Sequence, residues 1–333
     1  MKKKILFLDG VPDKNSVYMN SVDINGAFSI QTNGSCNVYS HLEVDDFNYT
    51  HRILDILDGQ KLNLNGIDAI FNQISDSDTH KTTLQKVTNI AYKVNDKIKI
   101  FNLSENVKKC SRDNVYKNLQ DIDKVYVPKT VKINPKKPQD IYNAIKTNKF
   151  HLPVIFRVTG EHGGVGTAII NELENDEVFY QFALDGREYY ITQYVDYKTN
   201  NVYKKYRLAV VDGKVYIRHV LFDKFWMVHV SSREFMEHNI GYKQEELKIL
   251  NSFDTYLKPH IENQIKQIHS RLGLDYFGID CYIDDNFDIL IFEINANMNI
   301  LVPNRSVSKD SIWNLKIEEI KNAICTMIKE RLK

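Results

Sequence analysis

One stretch near the C-terminus limits what this chain can fold into more than any other: Gly273-Leu-Asp-Tyr-Phe-Gly-Ile-Asp280-Cys-Tyr-Ile-Asp-Asp-Asn-Phe-Asp-Ile-Leu-Ile-Phe-Glu293-Ile-Asn295-Ala-Asn297. Two runs rich in Ile, Phe and Tyr flank Asp285-Asn286, a two-residue turn that closes a β-hairpin. With that turn Asp284 pairs with Phe287 and Asp280 lies opposite Ile291. Side chains alternate across a strand, so Ile279, Cys281, Ile283, Leu290, Phe292 and Ile294 form one apolar face, the core face. Asp280, Glu293 and Asn295 fall on the other, with Glu293 diagonal to Asp280 at roughly 7 Å. Three oxygen donors so arranged suit Mg²⁺, which takes one or two carboxylates and completes its shell with water and phosphate. The competing reading is a solvated outer face with scattered acids. It leaves Ile289 and Ile291 exposed for no return.

A chain of 333 residues can bury a large core and divides into two or three domains. The formal charge of +1 gives no global electrostatic reason to expect nucleic acid or a membrane surface as partner. The apolar run after Met1-Lys-Lys-Lys is too short for a signal peptide, and no stretch approaches the roughly 20 apolar residues that span a bilayer. The expected location is the cytoplasm. Cys36, Cys110, Cys281 and Cys325 are far apart, so neither a disulfide framework nor a zinc site is indicated.

The hydrophobic pattern predicts an α/β (α+β) chain in three parts. Over residues 1–108 it predicts strands at Lys4–Asp9, Gly66–Asn72 and Lys99–Asn102, with a helix from His80 to Ala91. Over residues 109–188 it predicts a helix capped by Ser111, a second helix starting at Pro138, and two strands, Leu152–Val158 and Thr167–Ile170. Over residues 189–333 an antiparallel meander begins at Tyr189–Val195, runs through Tyr206–Val211, turns at Asp212-Gly213 and returns as Lys214–Leu221. A helix from Glu245 to Leu272 leads into the hairpin. A last helix, with Trp313, Ile317, Ile320, Ile324, Ile328 and Leu332 on one stripe, can pack within the chain or against a second copy.

Several residues could do chemistry. Gly160, Gly163, Gly164 and Gly166, with Glu161 and His162 among them, lie between two strands, so they form neither a P-loop nor a dinucleotide fingerprint. Such a tip is either a mobile loop or a cover whose backbone N–H groups fold down over phosphate. Arg112 and Arg157 either reach a triphosphate or lie on the surface. Counting back from Asp212-Gly213, Arg207 pairs with Arg218. Two like charges in direct opposition call for an anion between them, unless the two side chains splay apart. His219 and His229 read as packing residues, while Lys204 and Lys205 are ambiguous.

In this order, the glycine hairpin, Ile191-Thr-Gln193-Tyr194-Val195, the Arg207 strand and the Asp280, Glu293, Asn295 set resemble the ATP-grasp superfamily. The resemblance implies an N-terminal pre-ATP-grasp domain, a central lid subdomain and a C-terminal antiparallel-sheet subdomain, over nearly the whole chain. It implies ATP beneath the lid formed by Gly160, Glu161, His162, Gly163, Gly164 and Gly166. Adenine would lie against the backbone of Gln193, Tyr194 and Val195, and Arg112 and Arg157 would stand where the family usually has lysines. It further implies two Mg²⁺ ions, or Mn²⁺, with Glu293 bridging them, Asp280 as a further ligand and Asn295 on the second. Arg207 and Arg218 would be catalytic. The implied activity is ATP-dependent ligation of a carboxylate to an amine through an acyl phosphate. A phosphotransferase or a nucleotide-binding module without turnover are the alternatives. The expected partner is a small-molecule, amino-acid or peptide substrate, with no nucleic acid and no membrane, and the stripe of the last helix leaves a homo-oligomer open. Glu293-Ile-Asn-Ala-Asn-Met-Asn lacks the proline often seen after the metal-binding asparagine. The chain therefore looks more like a separate bacterial branch than like D-alanine ligase, glutathione synthetase or the ribosomal-protein glutamate ligases. Acceptor recognition is expected from Ser16–Asp46 and Phe225–Glu237, because loops on a rigid scaffold carry specificity.

Overall fold

The continuous apolar run Ile5-Leu-Phe-Leu is what a strand covered on both faces requires, and it forms β1 (Lys4–Asp9). The computed structural model describes residues 2–26, 28–31, 33–42, 47–56, 62–161 and 163–333. After β1 comes a hairpin of β2 (Tyr18–Val22) and β3 (Phe28–Gln31), in a stretch whose sequence has little periodicity. β4 (Asn48–Ile53), β5 (Ala69–Asn72) and β6 (Lys99–Phe101) join β1 in a parallel sheet of order β4-β1-β5-β6. The helix Lys81–Val94 buries Leu84 and Val87 and ends at Asn95 in the left-handed conformation.

β7 (Val125–Tyr126) pairs with the C-terminal sheet. β8 (Thr130–Ile133), β9 (Val154–Val158), β10 (Thr167–Ile170) and β11 (Tyr189–Gln193) form a second, antiparallel sheet of order β10-β9-β11-β8. This corrects the expected meander: Tyr189–Gln193 is a strand of the central sheet. Tyr189 and Ile191 are held there by Phe156, Phe179 and Phe182, with the Phe156 and Tyr189 rings stacked at 4.7 Å.

The third sheet, of order β13-β12-β14-β15-β7, is built from β12 (Tyr203–Val211), β13 (Lys214–Asp223), β14 (Tyr276–Ile283) and β15 (Ile289–Ala296). Asp212-Gly213 makes the expected turn, with φ of 49° and 76°, and Val211 pairs with Lys214. Further along, the ladder slips. Leu208 pairs with Ile217 but Arg207 pairs with His219, so Arg218 is the extra residue of a β-bulge and does not oppose Arg207.

The β14–β15 hairpin also differs from its expected register. Asp284 Oδ1 accepts the N–H groups of both Asn286 and Asp288, and Phe287 takes φ of 64°, so the connection spans Asp284–Asp288 and Ile283 pairs with Ile289. A bulge at Phe292 then shifts the ladder once more, and Asp280 lies directly opposite Glu293 rather than diagonal to it. Ile289 and Ile291 are core residues, 0% and 1% exposed. Leu290 and Phe292, expected in the core, instead line a cleft on the acidic face.

The largest apolar cluster lies between this sheet and the helices on its far side, including Lys258–Leu272, which ends at Gly273 with φ of 70°. Ile320, Ile324 and Ile328 of the helix Ile312–Arg331 pack in one cluster with Ile5, Phe7 and Val211, so its apolar stripe is covered within the chain. Among the described residues no helix is long and apolar enough to cross a membrane. The observed register makes a measurable difference. Ile291→Ala should cost about 2–5 kcal/mol in urea unfolding, whereas an exposed Ile291 would cost within roughly 0.5 kcal/mol.

Candidate functional site

Asp280 is 4% exposed, and a carboxylate so placed needs compensation. Neighbouring β12 supplies it. Arg207, paired with Asp280 across the ladder, donates Nε to Oδ1 and Nη2 to Oδ2, each at 2.7 Å. Lys205, two residues away on the same face, donates to Oδ2 at 3.0 Å. Burial pushes the Asp280 carboxyl up, but Arg207 and then Lys205 outweigh it and hold the group below the usual carboxylate range. Glu293 is engaged as well. Its Oε2 accepts from Arg112 Nη2 at 2.8 Å and its Oε1 from Asn295 Nδ2 at 2.8 Å. Arg112 Nη1 donates to the Phe292 carbonyl, fixing the bulge.

These residues floor a cleft of about 480 Å³. Arg112, Arg157, Gly163, Gly164, Gln193, Tyr194, Val195, Arg207, Asp280, Glu293 and Asn295 all line it, although they come from separate strands and loops. Gly160 and Glu161 border a smaller cavity of about 30 Å³ that shares Arg112, Glu293 and Asn295. Gly166 packs against Val158, and His162 lies outside the described residues. At Gly164, with φ of 83°, a Cβ would stand 2.8 Å from Met227 Sδ, so only glycine permits this approach of the loop to the opposite wall.

Arg157 leaves β9 above the floor. Its Nη2 donates to the Glu161 carbonyl at 3.3 Å, and its Nε is buried with no hydrogen-bond partner among the described residues. Burial, followed by the neighbouring Arg112, pushes the guanidinium down to about 9. At neutral pH it keeps its proton, and the unmet need is for an anion.

One end of the cleft is apolar. Ile155, Leu290, Phe292, Tyr194 and Trp226 line it, the last two edge to face with centroids 6.0 Å apart. Gln193 turns its side chain outward, with Nε2 donating to the His151 carbonyl and Oε1 accepting from His151 N–H. β11 ends there, so the backbone of Tyr194 and Val195 runs beside the cleft outside the ladder. A flat aromatic or heterocyclic group with backbone-directed hydrogen bonds suits this slot.

Arg218 is not among the cleft-lining residues. Its Nε donates to the Ile300 carbonyl at 3.0 Å, and burial, followed by Arg233 and Arg207, lowers its pKa to about 10. His219, which occupies the position expected of Arg218 opposite Arg207, is pushed well below its usual value by burial and the surrounding cations, so its ring is neutral. Sequence reasoning left Lys205 undecided and missed the lining roles of Leu290 and Phe292. The signal for Lys205 was available, since i and i+2 on a strand share a face with Arg207. Asn33–Cys36 and Trp226–His229, within the two stretches expected to recognise the acceptor, line the cleft.

Two directly opposed carboxylates with an amide two positions along are hard oxygen donors suited to Mg²⁺. Among the described residues no group of three or more His, Cys, Asp or Glu could hold a metal, so the donor set fits an ion that brings other ligands with it. To add its oxygen, Asn295 must turn its amide away from Glu293 Oε1.

No family model matches the chain, and no curated protein sequence matches it. Similar solved structures include D-alanine–D-alanine ligase from Bacillus anthracis, 12% identical with a TM-score of 0.54, covering 99% of this chain and 97% of that one. VanG D-Ala:D-Ser ligase from Enterococcus faecalis is 12% identical with a TM-score of 0.56, covering 100% of both chains. The RiPP-associated ATP-grasp ligase from Chryseobacterium gregarium, solved with ADP and a leader and core peptide, is 15% identical with a TM-score of 0.52, covering 99% and 97%. At these identities the likeness is one of fold.

Arg157→Gln separates the need for an anion from ordinary packing. The depressed value of Arg157 means that its charge is a cost to the ligand-free fold, relieved only as pH rises past about 9. The substitution should therefore raise the urea midpoint of the ligand-free protein at pH 7. It should also weaken ATP binding, measured by calorimetry, by about tenfold or more.

Proposed function

We propose that this chain, which has the ATP-grasp fold, is an ATP-dependent ligase that joins a carboxylate to an amine. The observation that carries the reading is the buried Nε of Arg157, unpartnered among the described residues, above the Asp280, Glu293 and Asn295 floor. An anion above two carboxylates is the arrangement a metal-bound polyphosphate requires. Arg157 and Arg112 would hold phosphate oxygens, the N–H groups of the glycine loop would cover them, and adenine would occupy the slot at Tyr194 and Val195. Asp280, Glu293 and Asn295 would hold Mg²⁺, which when bound neutralises phosphate charge and aligns the γ-phosphate. The division into residues 1–108, 109–188 and 189–333 belongs to this reading, with β11 moved to the central unit.

The first substrate's carboxylate attacks the γ-phosphorus, the bond to the β–γ bridging oxygen breaks, and ADP leaves. The acyl phosphate is then attacked at carbon by the amine. Phosphate departs and the amine loses a proton as the amide forms. Arg207, held by Asp280 at the cleft floor, would stabilise charge on the transferred group, help typically worth a few kcal/mol per donor. Arg218 would contribute from behind, by holding the chain at Ile300. The Chryseobacterium gregarium ligase was solved with ADP and peptides, which supports a nucleotide in this cleft and an amino acid or peptide as acceptor.

Incubation with Mg-ATP and pooled amino acids and peptides should release ADP together with a product lighter by one water than its two reactants. A phosphorylated single reactant would move the protein to the phosphotransferase reading. Glu293→Gln should abolish Mg²⁺-dependent ADP release while the folded protein remains, and undiminished release would remove the metal assignment. Asp280→Asn is a less clean variant, because it leaves Lys205 and Arg207 beside a neutral group.

A further inference from the structure

We infer that Asn297, acting with Asn102, is a positioning residue that fixes Asn295 and the cleft wall facing it for metal binding. The inference rests on the nucleotide and metal reading of the cleft. Asn297 lies one residue beyond β15 and two beyond Asn295, in the stretch that lacks the proline often seen after such an asparagine. It is 0% exposed and adopts φ of 51°. Its Nδ2 donates to the Asn72 carbonyl at 2.9 Å and to the Ile74 carbonyl at 3.1 Å. Its Oδ1 accepts from Asn102 Nδ2 at 2.6 Å, and its backbone N–H donates to the Tyr276 carbonyl.

Asn102, also 0% exposed, is as fully engaged. Its Oδ1 accepts from the N–H groups of Asp275 and Tyr276, its Nδ2 also donates to the Tyr276 carbonyl, and its own N–H donates to Asp275 Oδ2. Asn72 closes the set, donating Nδ2 to the Asn102 carbonyl. Three buried amides thus join the ends of β5 and β6 to the start of β14 and the end of β15. Apolar side chains could fill that volume, but they would not fix one register. A satisfied polar network does, since any slip leaves several buried groups unpaired.

The network holds both sides of the site. Asn295 stands two residues before Asn297 on the floor, and Ser75, which lines the cleft, follows Ile74, whose carbonyl Asn297 holds. The left-handed turn at Asn297 also carries Met298 back over Gly278, where a Cβ would stand 2.3 Å from Met298 Sδ. Met298 thereby lines the cleft. Removing the Asn297 amide frees the end of β15 to move relative to Asp280.

The variant to make is Asn297→Gly, which keeps the left-handed backbone and removes only the amide. Mn²⁺ is titrated into the full-length protein holding a non-hydrolysable ATP analogue, with free Mn²⁺ read by electron paramagnetic resonance. Affinity for the metal-free analogue is measured alongside. The expected result is a Mn²⁺ affinity lowered by about tenfold or more, as for other residues that orient metal ligands, with metal-free analogue affinity unchanged. Unchanged Mn²⁺ affinity in the folded variant would overturn the inference, as would equal losses in both affinities, the mark of a merely destabilised fold. If Asn297→Gly does not fold, Asn297→Ser is read by the same criteria. A wild-type protein that fails to bind Mn²⁺ with the analogue would overturn both this inference and the reading beneath it.

Discussion

The pairing of Asp280 with Arg207 and Lys205 is the interaction on which the cleft depends. A carboxylate buried in the middle of a sheet is expensive unless its oxygens are satisfied. Here a guanidinium fork and an ammonium, both from the adjacent strand, do this. Their demand for one geometry holds β12 against β14 and makes the ladder slip next to Asp280, rather than at it, the tolerable arrangement. Glu293 can then stand directly opposite Asp280 only because Arg112 reaches it from a different element. Around the cleft four cations, Arg112, Arg157, Lys205 and Arg207, face two carboxylates. Of the two excess positive charges, one is shared by Lys205 and Arg207 around Asp280 and the other sits on Arg157, whose Nε is unsatisfied among the described residues, so the site is suited to a polyanion.

The sequence made the sheets and the acidic face legible because alternation and apolar runs are local signals. It could not count bulges. In the hairpin, the connection is longer than the Asp285-Asn286 turn suggested, because Asp284 caps it, and Phe292 adds a bulge. The two changes together carried Glu293 closer to Asp280 while exchanging Leu290 for Ile291 and Phe292 for Ile289 between faces. Asp280, Glu293 and Asn295 share one face despite the incorrect register, because both changes shift the same strand in the same direction. Arg218 did not survive it, since one extra residue was enough to replace it with His219 opposite Arg207. The position of β11 was illegible for another reason. Its Tyr-Tyr-Ile-Thr pattern fits either neighbouring sheet, and only the aromatic packing on Phe156 decides.

The central sheet is tied to the N-terminal unit by charge. Asp78 accepts from Lys132 Nζ and from the Tyr190 hydroxyl, each at 2.7 Å, and Lys81 pairs with Glu188. Beside these contacts the glycine loop approaches both neighbours. Gly160 lies against Thr79 and Gly164 against Met227. The roof of the cleft therefore rests on walls contributed by distant parts of the chain, and a bulkier residue at either glycine would hold it off.

The two arginines that line the cleft beside Glu293, Arg112 and Arg157, are not equivalent. Arg112 spends one nitrogen on the Phe292 carbonyl and another on Glu293, a pair of bonds from one planar group to a bulge and to the carboxylate beside it. An ammonium cannot make both in that fork geometry. Its guanidinium is thus bound up with the bulge that sets Glu293 opposite Asp280, and it is only secondarily available to a ligand. Among the described residues Arg157 makes one hydrogen bond, to the Glu161 carbonyl of the glycine loop, and keeps Nε free. Of the two, Arg157 has the donor to spend on phosphate, while Arg112 holds the register of the floor on which that phosphate would sit.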